Sequence, residues 1–361
     1  MKIIIIILIC LINFFAIRSE SGHQSNKRDG PVLLHFDPGI STGKLLHIIP
    51  ASVRQKGDQY TEGGHWLILW NFVNAALIIW IFLFQGLSSY IKNISGSIVS
   101  QDLSNSVYLA LYFIADYLLS LPLHIYQHFT REKQYGFLNQ NFIQWMSGDL
   151  LRFMIALAIL VPLFLLGYTY LRKIKRNVMM QAVAIFIASV SGVMFFNPVF
   201  SEAALTRART LYSPGFLLKI NLEYVLLMLL GFIFVSWALN QFILKYGKRV
   251  KLANIRDITS VPLLVFLVTC YLFIITPISN TIKRNAESEA DIYELKITRN
   301  PDVFALSVIK SADHDKMDPG YWEEAFFFDH PSIKQKIFRA MKWKTENLIF
   351  LPLFSIKGFS C

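Results

Sequence analysis

Charge is scarce in this sequence. Asp, Glu, Lys and Arg make up 16% of its 361 residues against 54% hydrophobic ones, more apolar content than one soluble core would absorb. Cysteine is scarcer still. Cys10, Cys270 and Cys361 lie far apart without a C-x-x-C spacing, which excludes a disulfide framework and a thiolate metal or redox site of that kind. Gly86, Gly148, Gly167 and Gly231 are scattered, with no G-x-x-x-G pair among them to define a helix dimer face. The net charge of +11 has the sign of a nucleic-acid binder. Its Lys and Arg instead sit largely at the ends of apolar runs, where they anchor topology, and no basic stripe interleaves with aromatics; a nucleic-acid partner is excluded on that ground.

Long apolar runs are what the sequence does have. Met1 to Ser21 reads as a signal peptide or N-terminal anchor: Lys2, an apolar stretch from Ile3 to Ile17, then a polar exit at Arg18, Ser19 and Glu20. Residues 22–65 are polar and aperiodic and read as an extracytoplasmic segment without a core of its own. Six runs follow, at about 66–84, 107–124, 150–171, 179–199, 220–244 and 261–282, each near the ~20 residues that cross the hydrocarbon. The links carrying Arg172, Lys173, Lys175 and Arg176, and Lys245, Lys248, Arg249, Lys251 and Arg256, are basic. The positive-inside rule makes both cytoplasmic, so parity puts 125–149, 200–219 and 283–361 together outside. The expected fold is all-α: a six-span transmembrane bundle over 66–282 and a small helical extramembrane domain over 283–361. Asp116 and Glu223 fall in or near spans, where carboxylates face a polar cavity, pair between helices or lie at the interface.

The strongest local signal follows the last run. Arg284, Glu287 and Asp291 share one face of a helix, which fits either a charge ladder in water or a metal ligand with supporting groups beside it. His124 and His128, at i,i+4, could reach one ion from a helix, or sit as polar rings at the end of the second span.

Three stretches in order resemble the type I CAAX prenyl endopeptidases, membrane-embedded zinc metallopeptidases. Asn280, Arg284, Glu287, Ala290 and Asp291 match the family pattern N-x-x-S-R-x-x-E-x-x-A-D, with Lys283 at the Ser position. Arg131, Glu132, Tyr135, Gly136 and Phe137 fit its R-E-x-x-Y/F-G-F loop, with Trp145 and Asp149 beyond. Asp329, His330, Pro331 and Ile337 fit its T/D-H-P-x-x-x-x-R-I element, with Lys336 at the Arg position. The resemblance covers about residues 66 to 345. It implies Glu287 as a zinc ligand, His330 as a group beside the reacting centre, and Arg284 and Asp291 in support.

One family element is missing. The H-E-x-x-H helix supplies two zinc-binding His and a general-base Glu. It belongs between Pro198 and Ile220, where this chain has no His, and none of its eight His is followed by Glu. One Glu cannot complete a zinc shell. The resemblance therefore implies a family member that does not hydrolyse peptides as written, with no zinc, binding a peptide or docking on a complete paralogue in the lipid membrane. A rebuilt site using His124 and His128, or a segment missing from the sequence, would instead give an active zinc endopeptidase for membrane-associated peptides. A transporter-like membrane protein is the remaining reading. The Ile-rich leader and dense basic links fit a bacterial inner membrane, with the C-terminal domain extracytoplasmic.

Overall fold

The computed structural model describes residues 36–100, 103–173, 214–252, 254, 257–310 and 315–347. The chain divides into two compact units, residues 1–37 and 38–361, and the second carries the fold. All regular structure among the described residues is helical: α1 Pro38–His47, α2 Ala51–Leu83, α3 Leu87–Ile98, α4 Ser104–Ile125, α5 Phe142–Lys173, α6 Pro214–Tyr246, α7 Val261–Thr298, α8 Pro301–Lys310, α9 Tyr321–Phe327 and α10 Ile333–Asn347. α4 continues through a π-helical turn, Tyr126–Thr130, into Arg131–Gln134. Helix is what a lipid-exposed apolar chain must adopt, because it satisfies every backbone N–H and C=O internally.

Five described helices are long and apolar enough to cross a membrane: Ala51–Leu83, Ser104–Gln134, Phe142–Thr169, Leu226–Tyr246 and Ile258–Thr298. The chain is an integral membrane protein. The expected span at 179–199, the leader at 1–21 and the last stretch, 348–361, lie outside the described residues. Between the spans the core is apolar and aromatic. Phe82 of α2, Tyr108 and Leu109 of α4, Val235 and Leu239 of α6, and Val261 and Leu263 of α7 are all essentially inaccessible. At one end of the bundle Lys92 of α3 bonds both carboxylate oxygens of Asp257, at 2.8 and 2.7 Å. Asp257 in turn caps the 3-10 turn Ile258–Ser260 by accepting from the Thr259 N–H.

At the other end two helices overshoot the bilayer. α2 has 33 residues and α7 has 38, lengths of roughly 50 and 57 Å at 1.5 Å per residue against a hydrocarbon layer of about 30 Å. Their polar ends, residues 51–65 and 283–298, therefore project beyond it. α8, α9 and α10 gather on these ends, and α10 also packs on α1.

Here the structure corrects one expectation. Residues 38–47 and 51–65 are helical, not aperiodic. Gly57, Gly63 and Gly64 look like loop signals, since glycine costs a helix about 1 kcal/mol. In the fold Gly57 permits close packing, since a Cβ there would lie 2.9 Å from the Asp315 carbonyl oxygen, while Cβ atoms at Gly63 and Gly64 would meet the Arg131 guanidinium at ordinary contact distances of 3.8 and 3.6 Å. Tertiary contact outweighs propensity.

Candidate functional site

The projecting end of α2 is where the loop after the second span and the C-terminal domain meet. One stripe of it, Lys56, Tyr60, Gly63 and Gly64, follows the i,i+4,i+7,i+8 spacing of a single helical face and receives the loop after the second span. The Arg131 guanidinium lies over the Tyr60 ring, 3.8 Å from its centroid, and donates to the Tyr60 carbonyl. Tyr60 Oη donates to Glu132 Oε1 at 2.7 Å. Tyr135 and Phe137 stand edge-on to Tyr60, with centroids at 5.1 and 4.9 Å. Gly136 between them has φ +76°, a left-handed conformation that a side chain would strain. The Arg-Glu-x-x-Tyr-Gly-Phe sequence is thus a clamp around one tyrosine.

The adjoining stripe, Gly57, Thr61 and His65, receives the C-terminal domain. Thr61 Oγ1 accepts from the Lys316 N–H at 2.9 Å. Lys316 Nζ bridges Glu62 at 2.6 Å and Glu323 at 3.0 Å. His65 stacks on Phe327 with centroids 4.2 Å apart. None of Tyr60, Thr61, Glu62 or His65 stood out in the sequence; their only signal was an i,i+4 polar pattern just before an apolar run.

The C-terminal motif residues separate into distinct tasks. Arg284 points to α9: Nη1 donates to the carbonyls of Glu324, at 2.7 Å, and of Phe328, and Nη2 to that of Ala325, at 3.2 Å. Asn280 Nδ2 donates to the Phe326 carbonyl at 3.1 Å. Together they satisfy the carbonyls that a helix leaves open at its C-terminus, where positive charge is favoured. Glu324, buried, accepts from the Ser332 N–H at 2.9 Å and from Gln335 Nε2 at 2.6 Å, and so caps α10.

Glu287 and Asp291 face α10. Lys336 Nζ lies 3.1 Å from Glu287 Oε2; Arg339 donates to Asp291 at 2.7 Å and to Ser288 Oγ at 2.8 Å. These are ion pairs between helices, which neither the ladder nor the ligand reading described. His330 sits between two carboxylates, Nδ1 2.9 Å from Asp329 Oδ1 and Nε2 3.3 Å from Asp315 Oδ2. Hydrogen bonds to Asp315 and Asp329 push its pKa up to about 10, and the bond from His330 brings Asp329 down to about 2. Lys283, at 3.5 Å from Asp329 Oδ2, extends the row.

His124 and His128 lie together with ring centroids 4.6 Å apart, but His124 Nε2 is engaged by Asp149 at 3.0 Å, whose other oxygen accepts from Tyr117 at 2.8 Å. Among the described residues no hydrogen bond or ion pair joins either ring to Glu287 or His330. Among the described residues no group of three or more His, Cys, Asp or Glu is placed to hold a metal ion. Among the described residues the donor set falls short of a zinc shell: the Glu287 carboxylate has an ammonium partner, and both ring nitrogens of His330 are engaged by carboxylates.

Inside the bundle, a cavity of about 240 Å³ lies between α2, α4 and α7. Asn71, Asn74, Asp116, Ser120, His124 and Gln127 line it among apolar side chains. Asp116 therefore faces a polar cavity, one of the arrangements its place in a span allowed.

Comparison with known proteins gives likenesses of three kinds. Residues 42–202 match a family model described as the CAAX prenyl protease N-terminal region, with five membrane helices. The uncharacterized metalloprotease YhfN of Bacillus subtilis (strain 168) is 28% identical over 121 residues, which are 33% of this chain and only 28% of that relative's length. The crystal structure of S. mikatae Ste24p superposes with a TM-score of 0.56 at 14% identity, over 83% of this chain and 93% of that one, a likeness of fold.

Proposed function

We propose that this chain is a member of the CAAX prenyl protease family that binds in the membrane without hydrolysing peptides. The observation that carries this reading is the Glu287–Lys336 pair at 3.1 Å. A carboxylate serving as zinc ligand needs two further ligands around one ion, whereas this one meets Lys336 and, among the described residues, stands in no group of three or more His, Cys, Asp or Glu placed to hold a metal ion. The sequence agrees, since none of its eight His precedes a Glu. What remains is a scaffold that holds a membrane-associated peptide or a complete paralogue. The cavity supports the first: carboxamides and hydroxyls such as Asn71, Asn74, Gln127 and Ser120 offer both donors and acceptors to a peptide backbone. The basic links between spans support a bacterial inner membrane with this polar end outside.

Zinc stoichiometry, measured by elemental analysis on the detergent-purified chain beside Glu287→Ala, tests the proposal. The expected result is far less than one zinc per chain in both proteins, and no cleavage of a prenylated peptide. Close to one zinc per chain, lost in Glu287→Ala, would overturn the reading and make the chain an active zinc endopeptidase.

A further inference from the structure

α9, Tyr321–Phe327, has two unlike faces. Glu323 is tied to Lys316 at 3.0 Å, Glu324 is buried against α10, and Phe327 stacks on His65. Trp322 and Phe326, four residues apart and on the side opposite Glu324, are turned outward. Trp322 is 71% exposed, Tyr321 70% and Phe326 47%. The three rings form a row, Tyr321 to Trp322 at 5.3 Å and Trp322 to Phe326 at 6.2 Å. A row of three exposed aromatics on a two-turn helix is costly in water and calls for something to cover it.

The tethers of α9 fix its height. On α7 it is held by Asn280 and Arg284, which bracket the end of the apolar run 261–282. On α2 it is held by His65, the residue before Trp66, where the apolar run of that helix begins. Trp66 and Trp70 are themselves exposed. Both spans thus change from apolar to polar sequence at the level of α9, and tryptophan and tyrosine favour that level because an apolar ring meets the acyl chains while N–H or O–H meets water and headgroups.

We infer that α9 is an interfacial anchor, with Tyr321, Trp322 and Phe326 resting in the headgroup region of the bilayer. The anchor holds the Asp329–His330 turn, which follows directly, at the membrane surface. It does not depend on whether the chain hydrolyses peptides.

The test uses the full chain in phosphatidylcholine vesicles whose acyl chains are brominated either near the headgroup or near the bilayer centre. The difference in emission between the parent and Trp322→Phe isolates the one ring, and the swap keeps an aromatic at an exposed site. Shallow bromines are expected to quench that difference several-fold more than deep ones. Quenching by aqueous iodide without quenching by bromine would put α9 in water and overturn the inference. So would protection from both quenchers, which would mean that protein covers the rings, and so would stronger quenching by deep bromines.

Discussion

His330 is held by Asp329 at 2.9 Å and Asp315 at 3.3 Å, and the consequence is measurable as a pH dependence. Its pKa stands at about 10 against an ordinary 6.5, so its stabilising contribution is complete below about pH 6.5 and is lost as pH rises through about 10. Asp329, at about 2 against 3.8, contributes fully above about pH 3.8 and loses its contribution as pH falls through about 2. Both contributions are therefore complete together between about pH 3.8 and 6.5. Raising the pH from 7 to 10.5 should lower the thermal stability of the detergent-purified parent more than that of His330→Gln, which is less stable at pH 7 and has no proton to lose. Parallel pH profiles in the two proteins would show that His330 does not carry the dependence. The same geometry explains why residue roles were only half legible. The i,i+3 and i,i+4 spacing put Arg284, Glu287 and Asp291 on one helical face, as found, but nothing local could show that Arg284 serves the carbonyls of α9 while Glu287 and Asp291 serve Lys336 and Arg339 of α10.

Among the elements, α2 organises the polar end by presenting two adjacent stripes, one to the Arg131–Phe137 clamp and one to the C-terminal domain. The second stripe depends on Gly57, where a Cβ would stand 2.9 Å from the Asp315 carbonyl oxygen, a backbone atom that cannot rotate away. Gly57→Ala should destabilise the docked domain by about 1 to 3 kcal/mol, as overpacking does. Gly43, inside α1 with nothing within 4 Å of its Cβ position, predicts the opposite: Gly43→Ala should stabilise by roughly 0.5 to 1 kcal/mol through helix propensity. Protease susceptibility of residues 301–347 under mild denaturant would read both; a Gly57→Ala protein as resistant as the parent would contradict the close approach. The spans themselves could be placed from the sequence because ~20 apolar residues are a length signal that needs no tertiary information. α1 and the first four turns of α2 could not, because their helicity rests on contacts with distant residues, such as Tyr60 with Glu132 and Thr61 with Lys316, 72 and 255 positions away.

For the molecule as a whole, the C-terminal helices are not a free domain hung on the last span. α10 buries Ile333, Ile337, Ala340 and Met341, and the partners it buries them against include α8 and α1, helices that flank the bundle in sequence. Thr42 of α1 is itself buried, its Oγ1 donating to the Pro38 carbonyl at 2.7 Å, so that an apolar side of the short helix can close on α10. Each fully buried Ile or Met side chain contributes on the order of 1.5 to 3 kcal/mol relative to exposure, and small clusters of this size have little margin. Replacing residues 38–47 with a Gly/Ser linker of equal length should therefore expose part of that cluster and release α10 while leaving the spans folded, since their core among α2, α4, α6 and α7 includes nothing from α1. Limited proteolysis in detergent checks this directly. The expected pattern is early cleavage within residues 315–347 with the fragment up to Thr298 left intact. Resistance equal to the parent would mean that α7 and α8 alone hold α10, and simultaneous loss of the whole chain would mean that the bundle depends on its polar end.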